Sequence, residues 1–194
     1  MSASAQQAEE EKLLKHKLIL FLMEHDTLMD DLRLVRSLQL PQCYIAAGCI
    51  RNYVWDRLSG YSSSRSLHDD IDVVYYDADD LSPLKDAELE QKLIKATENP
   101  RWSVKNQARM HVKNGFEPYH STSHALSHWP EMVTAIGVRL NDSDQLELCC
   151  PHGLADLFEM RVQRSPYFPD HGYYVDRITK KGWDRNWPKL TIIT

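Results

Sequence analysis

The chain has 194 residues, 42% of them hydrophobic and 26% charged, which suits one sizeable core and leaves little room for two full domains. Its formal net charge of −5 argues against a protein built to grip duplex phosphates, but it permits a nucleotide held through metal ions. The apolar run at residues 18–23 is far too short to span a bilayer, and residues 1–11 lack the pattern of a secretory signal, so a cytoplasmic location with no membrane partner is expected.

Residues 6–38 carry helical periodicity through Leu14, Leu18, Phe21, Leu22, Leu28, Leu32 and Val35, with a break at which Asp26 or Thr27 can cap a second helix. Pro41 closes this region, so the expected division is a helical segment over 1–39 and a main domain over 40–194. Residues 43–47 form a short strand candidate, Gly48 follows, and 50–58 read as a helix stopped by Gly60. The Ser-rich stretch 60–67 reads as a loop, and 70–76 is the strongest strand. An acidic helix is expected over 83–97, with Leu84, Leu89 and Leu93 inward. After residues 102–112 and a loop through Pro118, a short helix covers 123–129. Residues 133–140 and 146–150 predict a hairpin across the polar turn 141–144, then helices at 153–161 and 175–181, then an aromatic, finally β-like ending at 183–194. Helices and strands mix without a regular βαβ series, which favours α+β over a doubly wound sheet. The cysteines Cys43, Cys49, Cys149 and Cys150 form no C-x-x-C pair and read as buried thiols of a reducing compartment.

The segment Asp70-Ile71-Asp72-Val73-Val74-Tyr75-Tyr76 carries the chemistry. Aspartate is depleted in strands, yet two sit here among β-branched and aromatic residues. Residues two apart on a strand share a face, so Asp70 and Asp72 project together while Ile71 and Val73 face the core. Adjacent carboxylates repel unless they share a proton or a cation. Hard oxygen donors select Mg²⁺ or Mn²⁺. The alternative is an exposed strand edge kept soluble by its acids. Upstream, residues 44–52 read as strand, glycine turn and helix. Gly48 lets the backbone approach a phosphate at a helix N-terminus, and Arg51 and Asn52 in the first turn add donors. A plain turn is the competing reading. His120, His124 and His128 have zinc-compatible spacing, but no cysteine or acid in the segment closes the shell.

Together, Ala47-Gly48-Cys49-Ile50-Arg51-Asn52 and Asp70-Ile71-Asp72-Val73-Val74-Tyr75-Tyr76-Asp77 resemble the nucleotidyltransferase superfamily that shares a core with DNA polymerase β. The string Val104-Lys105-Asn106-Gln107-Ala108-Arg109-Met110-His111, with Pro151-His152-Gly153-Leu154-Ala155-Asp156-Leu157-Phe158 and Trp187-Pro188-Lys189-Leu190, makes the chain similar to a bacterial nucleotidyltransferase-like group within it, once catalogued as a domain of unknown function. The resemblance implies a polymerase-β-like α+β core, with a small mixed or antiparallel sheet flanked by helices. It also implies a metal-dependent transfer of a nucleoside monophosphate from a nucleoside triphosphate to a hydroxyl acceptor, with pyrophosphate leaving. Gly48 would start the triphosphate-binding helix, with Cys49 where Ser or a second Gly is usual. Asp70 and Asp72 would hold the metal. Glu147, between Leu146 and Leu148, would be the third carboxylate, both metal ligand and activator of the acceptor, with Asp142 and Asp144 in reserve. Asn106 and Arg109, placed on one face of a short helix, would bind nucleotide or acceptor, or else Arg109 pairs with Asp77 or another acid. The alternative function is a nucleotide-binding or regulatory protein on the same fold. A nucleic acid as acceptor and a homo-oligomer both remain compatible with this reading.

Overall fold

The structure, a computed structural model, describes residues 3–61 and 70–194. Two helices lead, α1 (Ala3–Met23) and α2 (Asp26–Arg36), followed by strand β1 (Tyr44–Ala46), helix α3 (Gly48–Ser59) and strand β2 (Ile71–Tyr75). Then come α4 (Pro83–Thr97), β3 (Trp102–Asn106) and the short helices α5 (His111–Asn114) and α6 (Thr122–Ser127). The hairpin β4 (Gly137–Leu140) and β5 (Leu146–Cys149) precedes α7 (Ala155–Phe158), β6 (Arg161–Val162), α8 (His171–Lys181), α9 (Trp183–Asn186) and β7 (Thr191–Ile192).

The main sheet runs in the order β3-β2-β1-β4-β5, with β2 and β3 parallel and the other neighbours antiparallel. This is the expected α+β architecture, a small mixed sheet flanked by helices. The period of two divides the sheet into two faces. Ile45, Ile71, Val73, Tyr75, Trp102, Val104, Val138 and Leu140 enter the main core. Leu18, Leu22, Leu28, Leu32 and Val35 of α1 and α2 belong to that same core cluster. The other face carries Ala46, Val74, Gly137 and Cys149, with Asp72, Ser103 and Lys105 at its β2–β3 end. A smaller cluster of Ala46, Val74, Leu126, Ala135 and Cys149 covers part of this second face.

Several elements differ from the sequence reading for local reasons. The α1–α2 break is capped by His25, whose ring Nδ1 accepts from the Leu28 N–H at 3.3 Å. Leu84, expected inward, sits at the start of α4 and is 71% exposed, whereas Leu93 is fully buried. The strand expected from 133 begins only at Gly137, because Met132–Thr134 forms a 3₁₀ turn whose Thr134 hydroxyl donates back to the Glu131 carbonyl at 2.7 Å. The helix expected through 161 stops at Phe158. Met160 takes a left-handed φ of 53°, and Val162 pairs in parallel with Ile192. Helix α8 starts at His171, earlier than expected, because Asp170 caps it. Of the Ser-rich stretch predicted as a loop, residues 62–67 lie outside the described residues. Among the described residues, no helix is long and apolar enough to cross a membrane, and the four cysteines are free thiols.

Candidate active site

Ala46 at the end of β1 lies opposite Asp72 on β2, so the turn into α3 and the carboxylate pair are neighbours across the sheet. They line one cavity of about 420 Å³, within the usual range for a small-molecule site. Ala47, Gly48 and Arg51 form one wall, and Asp70 and Asp72 another. The turn holds an unexpected conformation. Ala47, not Gly48, has the left-handed φ of 65°, with ψ −129°. Its N–H donates to Ile136 O at 3.2 Å and its carbonyl accepts from Arg51 N–H at 3.1 Å. A non-glycine residue there stores on the order of 1–3 kcal/mol of strain, a common feature of ligand-binding turns.

Asp70 is exposed at the head of β2, while Asp72 is largely shielded. The Asp72 carboxyl is pushed up to about 6, first by burial and then by the like charge of Asp70. A hydrogen bond from Ser103 and the charges of Lys181 and Lys105 act in the opposite direction. Arg51 is buried, and its Nε–H and Nη–H donate to Asn52 Oδ1 at 3.0 and 2.8 Å. Its guanidinium lies 4.1 Å from the Trp183 ring centroid and 5.0 Å from that of Trp55, two rings that meet edge to face, and these cation–π contacts fix a positive charge at the cavity. Trp183 thus serves both core and cavity wall, while Trp187 anchors the C-terminal segment by donating its indole N–H to Asp56 at 2.8 Å.

Other residues expected here are engaged elsewhere. Glu147 shares the Asp72 face of the sheet but lies three strands across and two residues along, about 16 Å away. It is paired instead with Arg139, whose Nε–H donates to it at 2.7 Å, and this partner holds the Glu147 carboxyl below its ordinary range. It therefore cannot share a metal with Asp70 and Asp72. Asp144 pairs with Arg36 and sits with Asp142 in the hairpin turn. Cys49 donates its thiol to Ala46 O at 3.4 Å and packs on the core, and Asn52 orients Arg51 without lining the cavity. Asn106 ends β3 and is not on a helix. Completely buried, it donates to Asp77 O at 2.7 Å and Asp80 O at 2.9 Å and accepts from the Asp77 and Ala108 N–H groups. Arg109 pairs with buried Asp86, as the structural reading of that residue expected, and Asp77 pairs with Lys85. The three histidines pack against one another around α6, His120 stacked on His124 at 5.0 Å between centroids and His128 edge-on to His124 at 4.7 Å. No group of three metal-ligating side chains occurs among the described residues.

Residues not singled out from the sequence complete the cavity: Lys105, Gln107, Lys113, Trp129, Tyr173, Arg177 and Lys181 among them. The alternation Ser103, Lys105 on β3 and the four-residue spacing of Tyr173, Arg177 and Lys181 are visible in the sequence. Nothing in the sequence says that these elements converge.

A mixed sheet with an aspartate pair on the strand beside a glycine-opened helix defines the DNA polymerase β-like nucleotidyltransferase fold. The family model described as nucleotidyltransferase matches residues 33–192, and the chain belongs to that family. It is also similar to a solved structure described as an NMR structure that reveals a CCA-adding enzyme head domain. The two are 33% identical, with a TM-score of 0.81, and the match covers 92% of this chain and 95% of the other. A comparison with curated proteins gives no match.

Proposed function

We propose that the chain moves a nucleoside monophosphate from a nucleoside triphosphate to a hydroxyl acceptor, with Mg²⁺ or Mn²⁺ held by Asp70 and Asp72. The observation that carries this reading is the segregation of charge in one cavity. Asp72 on β2 and Asp70 just before that strand line one side, while Arg51, Lys105, Lys113, Arg177 and Lys181 line the remaining walls, in a chain of net charge −5. A Mg²⁺ ion is commonly bound by one or two carboxylates plus substrate phosphates, which this donor set fits. Burial first, and then the like charge of Asp70, push the Asp72 carboxyl up, and a cation shared by the two acids would oppose both effects.

When bound, the cation supplies Lewis-acid stabilisation of charge on the transferring phosphate. The chain's own contribution is positioning and electrostatics. Gly48 and its neighbours present the N-terminal N–H groups of α3, and the dipole there favours an anion. Arg51, fixed by Asn52, Trp55 and Trp183, adds a charge that needs no reorganisation on binding.

A second reading, nucleotide binding with little turnover, is favoured by one observation. The strands beside β2 present Ala46, Ser103 and Lys105 to the Asp72 face and no third carboxylate. One experiment addresses both readings. The four common nucleoside triphosphates are titrated with Mg²⁺ into wild type and an Asp70→Asn/Asp72→Asn variant, and pyrophosphate release is followed with hydroxyl acceptors added. Metal-dependent binding that weakens at least about tenfold in the variant is expected, equivalent to about 1.4 kcal/mol. Binding without pyrophosphate release selects the second reading, and no binding with or without metal overturns both.

A further inference from the structure

One helix supplies much of the cavity wall outside α3 and β2. In α8, Tyr173, Arg177 and Lys181 recur every four residues, so they form a single row along the helix, and all three line the cavity. The core face of the same helix is Tyr174 and Ile178. Each member of the row is set up differently. Asp170 caps α8 by accepting the Tyr173 N–H at 2.8 Å, and the Tyr173 ring lies 5.5 Å from Phe168 while the residue stays 50% exposed. Arg177 gives its Nε–H to Glu131 at 2.6 Å, and Glu131 is completely buried. A carboxylate removed from water in this way needs a good partner, and the pairing holds the arginine in place while its other four N–H groups are not used on that bond. Lys181, in the last turn, is one of the charges acting on Asp72. The row therefore runs from an aromatic ring at one end to a cation beside the carboxylates at the other. With a rise of 1.5 Å per residue its ends are about 12 Å apart.

We infer that this row is the nucleotide-recognition surface of the site: the base stacks on Tyr173, and Arg177 and Lys181 take the phosphates. The inference rests on the cavity being a metal–nucleotide site, and it deepens that reading by stating how the nucleotide is oriented. Stacking reads an aromatic face and not a pattern of donors and acceptors, so the four bases bind with similar affinity.

The test is calorimetric titration of the full chain with Mg·ATP and, as a probe without a base, Mg·tripolyphosphate. Tyr173→Ala weakens ATP about tenfold and leaves tripolyphosphate within about twofold of wild type. Tyr173→Trp, which restores a stacking face, recovers most of the loss. Lys181→Ala weakens both ligands several-fold and flattens their salt dependence. Tyr173 and Lys181 are exposed, so both variants are expected to fold, and a thermal melt checks it. If Tyr173→Ala leaves ATP unaffected, or weakens tripolyphosphate equally, the inference is overturned. If wild type binds Mg·ATP through Asp70 and Asp72 while every α8 variant binds equally well, only this inference fails. If wild type binds no nucleotide, the proposed function fails with it.

Discussion

Asp72 holds its proton to about pH 6, against an ordinary value of 3.8, because burial and then Asp70 oppose its charge. A carboxyl raised on folding contributes stability below its unfolded value, and that contribution is lost as pH rises through the folded value. Without metal, the protein should therefore lose stability between about pH 4 and pH 6 through this one group. Asp72→Asn should be more stable than wild type at pH 7.5 by about 1–3 kcal/mol, with the gap closing near pH 4. Thermal melts in chelator across that range check it, and a gap that ignores pH would show that the ionisation of Asp72 is not what folding opposes. Mg²⁺ should reverse the sign, since its ligands must be deprotonated, so affinity climbs as pH rises through 6. The spacing of two on a strand made the Asp70–Asp72 pair legible from residues alone. The same rule places Glu147 on the right face, but it carries no information about how many strands lie between.

At the scale of elements, Asn106 shows how a motif can be distinctive without touching a ligand. It terminates β3, and its side chain ties the loop between β2 and α4 to the sheet through backbone groups of Asp77 and Asp80, and caps the following 3₁₀ turn by accepting the Ala108 N–H. Asp86 on α4 gathers Tyr75, the Asn106 N–H and Arg109 into the adjoining network. Asn106→Ala would leave buried backbone donors and acceptors unpaired and should cost about 2–4 kcal/mol in chemical denaturation, with a native-like spectrum below the transition. A loss under about 1 kcal/mol would mean that water replaces the side chain. On a helix, Asn106 and Arg109 would share a face. The chain instead leaves the strand at Asn106, and that one change of period sends the two side chains into structural bonds and leaves Lys105, Gln107 and Met110 at the cavity.

At the scale of the whole molecule, the N-terminal helices share the main core. Leu18 and Leu22 of α1 are fully buried in the core cluster that also contains Ile71 and Val73 of the aspartate strand. Leu22→Ala should cost about 2–5 kcal/mol by removing buried surface and leaving a cavity. Mg·ATP affinity measured well below the melting temperature should be unchanged, because no group at the site is altered. Combined melting and titration of the variant tests both halves, and a parallel loss of affinity would show that α1 sets the position of β2.

Local chemistry and short-range periodicity determined most of the elements, the α+β class and the aspartate pair, because a strand's period and a glycine's place before a helix act over a few residues. The order of the strands, the burial of Arg51 against two tryptophans, the strain at Ala47 and the arrival of α8 opposite β2 were decided only by the tertiary structure. These depend on contacts between segments far apart in the chain, such as Arg51 with Trp183, whose joint energy no local pattern encodes. The misplaced third carboxylate marks that boundary: alternation along β5 determined which face Glu147 occupies, and strand order put it beside Arg139, far from Asp72.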